Sequence, residues 1–189
     1  GDAAILNERD NLKKIIDNLS DENKSVATLF PNIKSSVIVK GRQASIIEYN
    51  SDMMTLAELL SDNNWLGVRQ RGRHLAWIFR RIVFALSAME ETGVQHNDIS
   101  LDNIMIHPKQ HGVRIVGLTS SSAHDSVGTK DVQDAAAMLK GYSDDDQNRY
   151  FDVLSRYPVS ATRLLSEYDR YIENLYGPRR FIELKLRSK

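Results

Sequence analysis

Leu75, Ile78, Phe79, Ile82, Val83, Leu86 and Met89 fall at spacings of three and four, the strongest helical periodicity in the chain. This spacing predicts a long amphipathic helix with one buried face, closed by Gly93. Ile5, Leu12, Ile15, Ile16 and Leu19 lie mostly on one face of another predicted helix over 5–19, and 20–25 reads as a polar loop. Apolar β-type runs over 36–39 and 44–47 flank Lys40-Gly41-Arg42, the pattern of a hairpin. Thr55 with Glu58 three residues later opens a short helix on a capping box. Gly67 and Gly72 bracket a basic stretch ahead of the long helix. Beyond that helix come a polar loop, a β-type run Val113-Arg114-Ile115-Val116 and a serine-rich stretch. Three further helices follow, opening near Asp131, Ser143 and Ser160. They end at Gly141, before Pro158 and at Gly177-Pro178. The tail over 181–186 alternates but is too short to assign. This is a helix-rich α+β pattern in one domain of ordinary size.

The chemistry-bearing residues gather in the loop after the long helix, His96-Asn97-Asp98-Ile99-Ser100-Leu101-Asp102-Asn103. A His and an Asp, an Asn five residues after the Asp, and then a short hairpin resemble the catalytic loop of protein kinases. That family reads H-R-D-x-x-x-x-N followed by D-F-G. His96, Asp98 and Asn103 match it. Asn97 stands where the family has arginine, and Gly117-Leu118-Thr119 stands in the D-F-G slot. The resemblance runs along most of the chain. The helix over 5–19 is similar to helix C, with Glu8 in the place of its ion-pairing glutamate. The hairpin is similar to strands 4 and 5, Ile47-Glu48-Tyr49-Asn50 to the hinge, and the helix opening on Asp131 to helix F. It implies a protein-kinase-like fold: a reduced N-lobe over 1–49 lacking the first strands, and a mostly helical C-lobe over 50–189. Only 14 positions separate Gly117 from Asp131, and no A-P-E motif lies between them. With the degenerate metal slot, this short segment resembles divergent spindle-checkpoint kinases of the Bub type and the kinetochore pseudokinase of kinetoplastids. That narrower resemblance implies kinetochore proteins as partners and a nuclear role in chromosome segregation.

Phosphoryl transfer rests on positioning and charge neutralisation. The family supplies a lysine on strand 3, a Gly-rich loop, a metal-binding Asp, a metal-binding Asn and a base Asp. No G-x-G-x-x-G occurs here, nothing before Ile5 supplies strands 1 to 3, and Glu8 has no visible lysine partner. Gly117 has no side chain with which to hold Mg²⁺. Losing one preorganised electrostatic element costs roughly 3–4 kcal/mol, about 10²–10³ in rate, and two independent losses on the order of 10⁴–10⁶. The expectation is a catalytically inactive pseudokinase that acts as a protein-interaction or scaffold module, with no cofactor and no metal. The rival is an active minimal kinase, or a fragment of one, with front strands upstream and Asp102 or Asp125 holding the metal of Mg-ATP. A third class, an unrelated helical scaffold, makes the loop match a coincidence. Each motif residue also has a structural reading. Asp98 and Asn103 can hold the turn by hydrogen bonds to loop backbone, His96 can pack with its loop, and Glu8 is expected to be a solvated helix carboxylate.

Charge and composition narrow the partners. Lys plus Arg equals Asp plus Glu at 25 each, so no global field draws the chain to nucleic acid or membrane. There is no cysteine, which excludes disulfides and thiolate zinc sites. No apolar run approaches the roughly 18 residues of a membrane span, and no signal-peptide pattern opens the sequence, so an intracellular location is expected. His107 and His111 straddle Pro108 in a predicted turn, so no zinc site is expected there. Arg69, Arg71, Arg73, Arg80 and Arg81 form the candidate interaction patch, since arginine pairs with carboxylate or phosphate. The alternative is a solvated helix face. Residues 120–122 are serines open to phosphorylation on composition alone.

Overall fold

The computed structural model describes residues 2–48, 50–61, 68–110, 112–123, 128–180 and 184. Helix α1 (Asp2–Asp17) buries Leu12 and Ile15. The loop expected over 20–25 is instead the start of a 3-10 helix, Asp21–Leu29. Val26 and Leu29 in its second half are buried and anchor it to the core. Strands β1 (Ile33–Val39) and β2 (Arg42–Ile47) pair antiparallel. Lys40 and Gly41 join them at φ 50° and 74°. Two successive positive φ angles give the turn whose twist matches the flanking strands.

Strand β3 (Met54–Thr55) leads into α2 (Leu56–Ser61) through the capping box that the sequence predicts. Thr55 Oγ1 accepts the Glu58 N–H at 3.1 Å, and Glu58 Oε2 accepts the Thr55 N–H at 2.7 Å. The long helix α3 (Val68–Glu91) is the centre of the core: Leu75, Ile78, Phe79, Ile82, Val83, Leu86 and Met89 are all buried. The basic stretch is not a bracketed loop but the opening turns of this helix, while Gly67 lies outside the described residues. Gly72 sits inside the helix because the side chains of Asp144 and Tyr176 come close there. A Cβ at that position would meet the Tyr176 hydroxyl at 2.6 Å and the Asp144 carboxylate at under 3.0 Å.

After α3 come β4 (Val94–Gln95), β5 (Ile104–His107), β6 (Gly112–Ile115) and β7 (Ser122–Ala123). Strands β3, β5 and β6 form one antiparallel sheet, and β4 pairs with β7. Helices α4 (Thr129–Leu139), α5 (Asp145–Arg156) and α6 (Ala161–Tyr176) complete the body. Asp144 and Ser160 cap the last two, accepting from Gln147 N at 3.0 Å and Arg163 N at 3.1 Å. The carboxylate of Glu90, at the far end of α3, accepts the N–H groups of Ala161 at 2.6 Å and Thr162 at 3.1 Å. It therefore lies against the positive end of α6 and fixes where that helix begins. Phe79 of α3 meets Phe151 of α5 and Tyr168 of α6 edge-on at 4.9 and 5.1 Å. The chain is thus a mixed α and β structure, rich in helix, with small antiparallel sheets. Among the described residues no helix is long and apolar enough to cross a membrane.

Candidate functional site

The loop that leaves β4 is held from below by one side chain. Asp131 stands in the first turn of α4 and is only 4% exposed. Its Oδ2 accepts the His96 N–H at 2.7 Å and its Oδ1 the Asn97 N–H at 2.9 Å. A carboxylate in a helix's first turn is favoured by the dipole, and each charged hydrogen bond is worth about 1.5–3 kcal/mol. The chain needs this anchor because Asn97 adopts φ 66°, a conformation that asparagine tolerates better than most residues. The Asn97 amide then donates to Ser120 O at 3.0 Å and to Ser122 Oγ at 2.8 Å. The residue in the arginine position therefore stitches the loop to the segment after Gly117.

His96 is fully buried. Its Nε2 lies 2.9 Å from Val116 O, and its Nδ1 accepts the Asp98 N–H at 3.3 Å. Only the neutral ring with its proton on Nε2 makes both bonds. Burial pushes its pKa below the ordinary histidine value, against the opposing pull of the Val116 carbonyl and the Asp131 and Asp98 carboxylates.

Asn103 faces Asp98. Its Nδ2 donates to Asp98 O at 2.9 Å and to Asp98 Oδ2 at 3.0 Å. Its own carbonyl accepts the Val116 N–H at 2.9 Å, which brings Gly117 beside it. Gly117 is left-handed, at φ 79° and ψ 35°. A Cβ there would lie 2.7 Å from Asn103 Cγ and closer still to its Oδ1. The glycine thus accommodates a close approach as well as an unusual backbone angle.

Glu8 corrects the sequence reading. It is not solvated but about 9% exposed. Ser45 Oγ donates to its Oε2 at 3.4 Å, and the Leu118 N–H also donates to the carboxyl. Burial raises its pKa above the usual carboxylate value, with both bonds opposing. Among the described residues no cation pairs with it. Its neighbours complete the attachment: Asn7 Nδ2 donates to Ser121 O at 2.5 Å and Asn11 Nδ2 to Ser121 Oγ at 3.0 Å. Asn7 and Asn11 were not foreseen. Their signal was two asparagines four apart beside the apolar stripe of Leu12 and Ile15. Through them Glu8, His96, Asn97, Asp98, Asn103 and Asp131 belong to one connected polar network, with Gly117 packed against Asn103. Ser121 is buried within it, so that serine is not the open acceptor its composition allowed.

Other candidates are placed elsewhere. His107 is buried and its Nδ1 accepts the Gln110 N–H at 3.1 Å, while His111 and Asp125 lie outside the described residues. No group of three or more His, Asp or Glu among the described residues is placed to hold a metal ion. The arginines are not one solvated face. Arg80 grips Asp169 of α6 with two nitrogens, Nη2 at 3.0 Å, and Arg73 donates to Tyr176 O. Arg71 is half-buried, and Arg81 lies over the Trp77 ring at 5.2 Å. The side chain of Arg69 lies outside the described residues.

Asp131→Ala leaves two amides without an acceptor, and the expected loss is about 3 kcal/mol or more of unfolding free energy in urea titrations. A change under about 0.5 kcal/mol would show that the clamp is dispensable. His96 gives a pH signature. Between the ordinary histidine pKa near 6.5 and its lower folded value, the unfolded chain binds more protons, so stability falls as pH drops through that window. The raised pKa of Glu8 acts in the opposite sense, in a window that begins near the ordinary carboxylate value. The fall in stability from about pH 7.5 to about pH 5.5 is therefore expected to be shallower in His96→Gln than in the native chain; equal slopes would contradict the buried neutral ring.

No model of a known protein family and no curated protein matches this chain.

Proposed function

We propose that this chain is a degenerate protein kinase in fold and a catalytically inactive pseudokinase in function, acting as a protein-interaction module. The order and joining of the elements support the kinase-like reading. Helix α1 and the β1–β2 hairpin come first, and buried α3 runs into the loop. The β5–β6 hairpin, the Gly117 turn and α4 follow, with Asp131 clasping that loop. The front strands of a kinase have no counterpart among the described residues.

Inactivity rests on one observation. The space a side chain at position 117 would enter is held by the Asn103 amide, and that amide is bonded to Asp98. The metal of Mg-ATP needs two protein oxygens at this point, one from each position. Here position 117 carries no side chain, and Asn103, whose Nδ2 is bonded to Asp98 and whose Oδ1 faces Gly117, offers one oxygen where two are needed, so the residues present do not fit the group. Asp98 remains as an exposed carboxylate whose Oδ2 accepts from Asn103 Nδ2. The Bub-type resemblance adds kinetochore partners and a nuclear location to this proposal.

Incubation with radiolabelled Mg-ATP is expected to give no more phosphate transfer from the native chain than from Asp98→Asn. Transfer that requires Mg-ATP and vanishes in Asp98→Asn overturns the proposal. A fluorescently tagged chain is expected to collect at kinetochores in mitosis; a purely cytoplasmic signal discards the narrower assignment and leaves the inactive pseudokinase standing.

A further inference from the structure

Between α3 and the end of α6 lies a groove of about 330 Å³, lined by Arg73, Trp77, Arg80, Arg81, Arg179 and Arg180 among others. Its charge is lopsided. Five guanidiniums line it, and only two of them, those of Arg80 and Arg179, are paired with the carboxylates of Asp169 and Glu173. Arg80 takes Asp169, Arg179 reaches the same carboxylate at 2.6 Å and stands 4.0 Å from Glu173, and Arg73 is turned to the Tyr176 carbonyl. Neither Arg81 nor Arg180 has a carboxylate partner among the described residues. Arg81 is half-buried over Trp77, and its charged neighbours are Arg80 and Arg179. Burial and those two cations push its pKa below the ordinary arginine value. In a chain of zero net charge this surplus is local, not part of a general positive field.

We infer that this groove binds a phosphorylated segment of a partner protein, with the phosphate held by Arg81 and Arg180 and a flanking side chain laid along Trp77. Two guanidiniums with no carboxylate partner among the described residues call for a dianion on one residue. A phosphate supplies nearly that charge and matches the arginine fork, whereas a carboxylate supplies half of it. The volume suits a phosphorylated side chain and its near neighbours, not a helix or a duplex. This inference stands on the groove alone and holds whether or not the Asp98 loop transfers phosphate.

The test uses the full chain and two fluorescein-labelled pools of degenerate peptides, alike except for a central phosphothreonine or threonine, read by anisotropy. The phosphothreonine pool is expected to bind about tenfold more tightly, with inorganic phosphate competing and added salt weakening the complex. That preference is expected to disappear in Arg81→Gln with Arg180→Gln. It is also expected to disappear in Arg180→Glu, whose exposed position leaves the melting temperature unchanged, and to persist in Arg149→Gln on another surface. Equal binding of the pools overturns the inference, as does a preference that survives Arg180→Glu. A single-stranded RNA or anionic vesicles binding through Arg81 and Arg180 while the phosphothreonine pool does not would overturn it too.

Discussion

The buried carboxylate of Asp131 is the fixed point of the polar half of this molecule. The chain leaving β4 must reverse through a left-handed Asn97, and the backbone amides of His96 and Asn97 need acceptors where they turn. Asp131 supplies both acceptors from the one place where a helix favours negative charge. With the loop so anchored, each remaining bond has a defined partner. His96 reaches the Val116 carbonyl, and Asn103 takes the Val116 amide. Asn97 ties down Ser120 and Ser122, and Asn7 and Asn11 draw α1 onto Ser121 between them. The exit of α3, the start of α4 and the inner face of α1 thus share one network. Changes within it are expected to be strongly non-additive, because its members have partners in common.

What could be read along the chain, and what could not, divides by the range of the interaction. The body of α3 was legible because seven apolar residues repeat at helical spacing. The Thr55 and Glu58 box was legible because its partners lie three residues apart. The loop motif and the opening of a helix at Asp131 were legible as patterns, but nothing local says that the Asp131 carboxylate turns back to His96. Glu8 reads as a solvated helix carboxylate because the Ser45 hydroxyl and Leu118 N–H that donate to its buried carboxyl are distant in the chain. The opening turns of α3 were hidden for a related reason. Basic residues are unfavourable at a helix N-terminus, so Arg71 and Arg73 argue against extending the helix backward. Contact of Arg73 with the end of α6, and the close approach at Gly72, override that preference. The 3-10 helix after α1 was missed because the polar residues 21–25 precede the two apolar residues that fix it.

A loop that serves a ligand must leave part of its hydrogen-bonding capacity unused until the ligand arrives. In this chain much of the loop's capacity is already used. Both oxygens of Asp131, the donor and acceptor of His96, and the amide nitrogens of Asn97 and Asn103 are engaged internally. Such closure stabilises the turn. Unused capacity lies instead on the outer side of α3, where Arg81 and Arg180 have no carboxylate partner among the described residues. One helix therefore carries both features: its C-terminal end leads into a closed polar loop, and its flank presents an open cationic groove. The second does not lean on the first, because Arg80 and Asp169 fasten α3 to α6 independently of the loop.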